Sequence, residues 1–159
     1  MFDDYANETK HPGRKLPRSE PGRISPAGTY VLVPPGTRLP IDKMHQYLSY
    51  PPVSGISVCL PWSDFERAHG TIDSSWLYEV LHAAETHGKT VMLRLLAGVY
   101  CPNWLYTVCE APYHEWTDRR ARSATYGRTV RMPVPWDDRF LANWVACVRE
   151  AGRLYSTHN

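Results

Sequence analysis

A chain of 159 residues, 43% apolar, has room for one domain with its own core but falls short of the roughly 250 residues of a closed (β/α)8 barrel. Six Trp and ten Tyr point to wide, flat contact surfaces, in a core or in a binding cleft. A formal net charge of +2 is too mild for a nucleic-acid binder, and no apolar run approaches the roughly 18 residues of a membrane span.

Residues 1–25 mix charges with Pro and Gly and carry no apolar period, which predicts a flexible leader followed by one domain over 26–159. Met1-Phe2-Asp3-Asp4 does not open a secretory signal, so a cytoplasmic product is expected. Thr29 to Val33 is β-prone and stopped by Pro34-Pro35-Gly36, which predicts a first strand. Ile41 to Tyr50 predicts a short helix with Ile41, Met44 and Leu48 on one side and Pro51-Pro52 at its end. Val53 to Leu60 is almost continuously apolar, the pattern of a strand buried on both faces of a parallel sheet. A loop from Pro61 to Gly70 follows. Asp73 is then placed to cap a helix whose Trp76, Leu77, Val80, Leu81 and Ala84 recur at helical spacing, with Gly88 as a left-handed terminator. Thr90 to Leu96 predicts a third strand. Val99 to about Trp136 reads as a long irregular segment, of the kind that is functional or disordered. Asp137 or Asp138 then caps a last helix with Phe140, Leu141, Trp144, Val145, Val148 and Ala151 on its buried side.

Strands alternate with helices, so the fold class is α/β, and each βαβ unit forces its two strands to lie parallel. Side chains at the C-terminal strand ends then gather on one rim. Trp62, Asp64 and Glu66 follow the second strand, and Arg94, Tyr100 and Trp104 lie at or after the third; these six are the candidate substrate-binding residues. Aromatic faces stack on the C–H face of a sugar ring, while carboxylate and guanidinium groups bond its hydroxyls. Each has a structural alternative: Glu66 fixing its own loop, Arg94 pairing with a carboxylate inside the sheet, Trp62 filling the core. Glycoside hydrolysis needs two carboxylates about 5–5.5 Å or 6.5–9.5 Å apart across the scissile bond. Asp64 and Glu66 share one short loop, so no catalytic residue is assigned.

Arg119, Arg120, Arg122, Arg128 and Arg131, interleaved with Tyr113, Trp116 and Tyr126, fit a solvated loop or a polar cleft better than a nucleic-acid surface. Cys101, Cys109 and His114 lack zinc spacing and no phosphate-cradling Gly loop is present, so no metal or cofactor is expected. Cys59 and Cys147 sit in apolar settings as buried thiols, and Cys101 and Cys109 flank a segment they can bridge only under oxidising conditions. His45, His82 and His87 read as lone surface or core groups.

Ser54 to Gly98 resembles the early barrel of clan A glycoside hydrolases, the β-galactosidase and cellulase-like group, in the succession strand, Trp-Ser-x-x-Glu, Gly-x-x-Asp, helix, Gly-Lys and strand with Arg. The matching positions are Trp62, Ser63, Glu66, Gly70, Asp73, Gly88, Lys89 and Arg94. Cys101 to Leu105 is similar to the family's Pro-x-Trp-Leu, and Val134 to Tyr155 to the helix before strand four. The resemblance implies a partial TIM barrel of three βα units that hydrolyses O-glycosyl bonds in the intact family, without a metal. It also implies that the acid/base of strand four and the nucleophile of strand seven have no counterpart here. The chain is then expected to be an inactive, truncated portion or a non-catalytic carbohydrate-binding or interaction module. A carbohydrate is the expected ligand, and open strand edges are expected to favour self-association.

Overall fold

In the computed structural model the described residues are 28–123 and 125–156, so the leader expected over 1–25 lies outside them. The elements run β1 (Thr29–Val33), α1 (Ile41–Leu48), β2 (Val53–Pro61), α2 (Trp62–Phe65), β3 (Glu66–Ala68), β4 (Thr71–Ile72) and α3 (Ser75–Thr86). They continue with β5 (Thr90–Leu96), a 3₁₀ turn at Gly98–Tyr100, α4 (Trp104–Thr107), β6 (Tyr113–Thr117), β7 (Thr129–Pro133) and α5 (Asp138–Ser156). β1, β2 and β5 form a parallel sheet in that order, each strand beside its predecessor in the β-α-β succession. The fold is mixed α/β.

Local chemistry explains the helix ends. The Asp73 carboxylate accepts the Ser75 N–H at 3.2 Å and so holds the entry to α3, although the cap position itself falls on Ser74. Gly88 adopts φ +61°, a left-handed conformation open to glycine, while the Gly88 and Lys89 amides donate to the carbonyls of Glu85 and Ala84. At α5 the Asp137 carboxylate accepts the amides of Arg139 (3.0 Å) and Phe140 (3.2 Å), as its sequence position predicts.

The two faces of the sheet differ sharply. Ile56, Val58 and Leu60 of β2 join Val31, Val33, Val91, Leu93 and Leu95 on one face. There they meet Met44 and Leu48 of α1, Leu77, Val80 and Leu81 of α3, and Phe140, Cys147 and Leu154 of α5. Strand register sets the alternating residues on the opposite face, where Leu32 pairs with Ser57, Ser57 with Met92 and Cys59 with Arg94. That face has a small-residue centre. The Tyr30 hydroxyl is hydrogen-bonded to Thr90 Oγ1 at 2.9 Å, so the ring crosses over Gly55 of the central strand. A Cβ on Gly55 would lie 2.7 Å from Tyr30 Cε1 and would also collide with the Thr90 carbonyl, which is why this position takes glycine.

Three expectations need correction. The Pro61–Gly70 loop is instead one helical turn, α2, followed by the antiparallel β3–β4 ribbon. The segment expected to be irregular is largely ordered: it holds the 3₁₀ turn, α4 and an antiparallel β6–β7 hairpin. Finally, Leu141, Val145 and Val148 of α5 are exposed, whereas Cys147 and Leu154 are buried. A narrow stripe of α5 meets the sheet, and no described element covers its flank. No helix among the described residues is long and apolar enough to cross a membrane.

Candidate functional site

β2 leads through Pro61 straight into Trp62, whose ring is 0% exposed. It packs edge-to-face on Trp104 (centroids 5.6 Å, planes 88°) and against Trp144 at 5.3 Å and Phe140 at 6.4 Å. Glu66 is buried beside it, and a buried carboxylate is tolerated only when its oxygens are hydrogen-bonded. Glu66 Oε2 accepts the Trp62 indole N–H at 2.9 Å, and Oε1 accepts the Gly70 amide at 2.8 Å. Trp104 Nε1 donates to the Glu66 backbone carbonyl at 2.9 Å, and His69 stacks on the Trp104 ring at 4.6 Å. These side chains brace the rim from within.

The six residues read from the sequence therefore part company. Trp62, Glu66 and Trp104 come together, but turned into the core, which corrects the expectation that they face a ligand. Arg94 emerges at the same end of the co-directional sheet, yet on the opposite face from the core that holds Trp62, and it is exposed. Asp64 on α2 and Tyr100 on the 3₁₀ turn are half-buried. Sheet register cannot bring Arg94 and Trp62 face to face, because Leu93 and Leu95 already claim the helix-facing side of β5.

Past the C-terminal end of β5 there is a cavity of about 320 Å³, between the 3₁₀ turn, the start of α4 and the β6–β7 hairpin. Its polar lining includes Cys101, Asn103, Tyr106, Glu115 and Arg131, with Val130 beneath. Arg131 is held by three contacts. Its Nε donates to Glu115 Oε2 at 2.7 Å, its Nη1 donates to Asn103 Oδ1 at 3.2 Å, and its guanidinium lies 4.9 Å above the Tyr113 ring. Such a planar group, stacked and bonded at both ends, is pre-organised. The Tyr106 ring packs 4.9 Å from Tyr113, and its buried hydroxyl faces the Cys101 thiol. Burial pushes the neighbouring Cys101 thiol up to about 12, and burial likewise raises the Tyr106 phenol. Both groups are neutral near pH 7, so the pocket presents a phenol, a thiol, an amide and a charge-balanced guanidinium.

Asp118 organises the hairpin that forms one wall of this cavity. It is 1% exposed, and Arg120 chelates it through Nε (2.9 Å) and Nη2 (2.8 Å). The Ser123 and Thr125 hydroxyls each donate to its Oδ2 at 2.6 Å. The Arg120 bonds, followed by those from Ser123 and Thr125, hold the carboxyl far below the usual carboxylate range. A depressed folded pKa stabilises the hairpin above the unfolded pKa of about 3.9, and that support is lost as pH falls from there through the folded value. Amide exchange across β6–β7 is therefore expected to stay slow from neutral pH to about 4 and, once corrected for intrinsic rates, to quicken below it. Asp118→Asn should remove this pH dependence. An unchanged acid profile in that variant would show that Asp118 is not the source.

The hairpin residues Glu115 and Thr129, with Asn103 and Tyr106 of the preceding turn, were not singled out in the sequence. A signal existed: Tyr113 to Thr117 and Thr129 to Pro133 are both β-prone and are separated by a segment containing Gly127 at φ +73°. Among the loop arginines, Arg120 and Arg131 are tied to Asp118 and Glu115. Cys59 and Cys147 are buried free thiols, Cys147 pushed up to about 12 by burial, and Cys101 and Cys109 are likewise unbridged. No family model matches the chain, and no curated protein shows significant similarity to it.

Proposed function

We propose that this chain is the amino-terminal part of a glycoside-hydrolase-like (β/α)8 barrel and that it binds carbohydrate in the rim cavity without cleaving it. The observation that carries this reading is the placement of the pocket. It lies beyond the C-terminal end of β5, between the 3₁₀ turn, α4 and the β6–β7 hairpin, on the edge of a parallel sheet where α/β folds bind ligands. Asn103 and Arg131 offer directional bonds to a polyhydroxy ligand, the Tyr106 ring supplies an aromatic wall, and the pocket's carboxylate, Glu115, neutralises Arg131. The rim carboxylates argue against hydrolysis by this chain. Glu66 is engaged by Trp62 and Gly70, and Glu115 by Arg131, so neither of these two is free to act on a sugar bond.

Calorimetric titration with galacto- and gluco-oligosaccharides tests the reading. Saturable binding without turnover is expected, weakened about tenfold or more in Arg131→Ala, since a hydrogen bond to a charged group is worth about 1.5–3 kcal/mol. Tyr106→Phe should weaken it less. Absence of binding to any of these sugars, or binding indifferent to both substitutions, overturns the proposal. A second reading, an interaction module that self-associates, draws on the exposed Leu141, Val145 and Val148 of α5. It is favoured if the chain forms a stable homo-oligomer and binds no sugar.

A further inference from the structure

The sequence leaves His45 and His87 as isolated residues; the fold pairs them. α1 and α3 pack against each other and both run back from the rim, so their C-terminal ends meet at the opposite edge of the sheet. His45 lies in the last turn of α1 and His87 caps α3. Their rings stand 5.2 Å apart between centroids with planes tilted 55°, and a 3.0 Å hydrogen bond joins His45 Nδ1 to His87 Nε2, so one proton lies between the two nitrogens and a bound ion would take its place, releasing it to solvent. Both side chains are half-buried, which restricts the rings to this arrangement.

We propose that His45 and His87 form a two-imidazole chelate for a divalent ion of the nickel or copper class. Metal–nitrogen bonds of about 2.0–2.1 Å set at right angles put two nitrogens roughly 2.9 Å apart, close to the spacing found here. Nickel and copper stand above the earlier divalent metals in affinity for imidazole nitrogen, which places this class first. The carbonyl ends of two helices converge on the pair, and their partial negative charge favours a cation there. Neutral imidazoles suit this class of ion, whereas magnesium and calcium require oxygen ligands. Among the described residues no third His, Cys, Asp or Glu joins the pair, so water completes the coordination sphere. The bound ion would clasp α1 to α3 at the end of the domain away from the sugar cavity.

Titration of the full chain with nickel tests this, followed by calorimetry and by the imidazole resonances. One equivalent is expected to bind, with paramagnetic broadening at the rings of His45 and His87 and a rise in the thermal midpoint. His45→Ala and His87→Ala should each weaken binding roughly tenfold or more, because one imidazole replaces a chelating pair. His82→Ala, on the exposed side of α3, should leave affinity unchanged. Magnesium should produce none of these effects. Broadening centred on other histidines, or affinity unchanged in both Ala variants, overturns the proposal. Should either variant fail to fold, His87→Gln and the site-resolved broadening of the native chain decide the matter alone.

Discussion

Trp62→Ala is expected to destabilise the domain by about 3–5 kcal/mol, the largest effect of any single substitution considered for this chain. The ring is 0% exposed, so its removal strips apolar contact from Trp104, Trp144 and Phe140 together and leaves a cavity that three large rings cannot collapse to fill. The loss has a polar part as well. Glu66 Oε2 would be left buried without the indole N–H that satisfies it. Trp62→Phe separates the two contributions: it keeps most of the ring volume and deletes the donor, with an expected cost of about 1–3 kcal/mol. Urea unfolding measures both, and the slope should stay constant if the native fold survives. A destabilisation below about 0.5 kcal/mol in Trp62→Ala, the scale of a surface substitution, would contradict the buried bracket and restore the ligand-facing reading of this residue.

Glu66→Ala is expected to cost about 2–3 kcal/mol, since it strands the buried Trp62 indole N–H and also removes the part-buried bond from the exposed Gly70 amide to the same carboxylate. Glu66→Gln should cost less, about 1–2 kcal/mol. Its carbonyl oxygen can serve one donor, but its NH2 then confronts the other with no acceptor. The position also determines how the chain turns after β2, because the Glu66 carbonyl holds Trp104 from the segment after β5. Loss of the side chain should therefore loosen the β3–β4 ribbon before the sheet itself, visible as faster amide exchange at Gly70. A double-mutant cycle between Trp62→Phe and Glu66→Gln should return a coupling of about 1 kcal/mol or more. Strict additivity would mean that the two side chains do not share a bond in solution.

These two substitutions also separate support from recognition. Trp62 and Glu66 brace the rim from the core side, whereas Arg131, Asn103 and Tyr106 line the cavity. Sugar affinity, measured where the variants remain folded, should follow the cavity residues and stay nearly constant in Trp62→Phe.

Most of the parallel α/β frame was legible in the sequence, because its signals are local. The apolar run Val53 to Leu60, the helical spacing of Trp76, Leu77, Val80 and Leu81, the terminator Gly88 and the cap Asp137 each act within a few residues, and each element appears close to its expected bounds. What tertiary structure alone decided is where side chains point and which distant groups meet. Helical period placed Leu141, Val145 and Val148 on a buried face, but how much of a helix is covered depends on its neighbours, and here a narrower stripe of α5 is. Residue type put Trp62 and Trp104 on a binding rim, while the Glu66 carboxylate and carbonyl, each ready to accept an indole N–H, drew both rings inward. Arg131 meets Asn103 across 28 residues, and His45 meets His87 across 42. Contacts at such separations leave no periodic trace in a single chain, because they are set by the packing of whole elements rather than by the preferences of neighbouring residues.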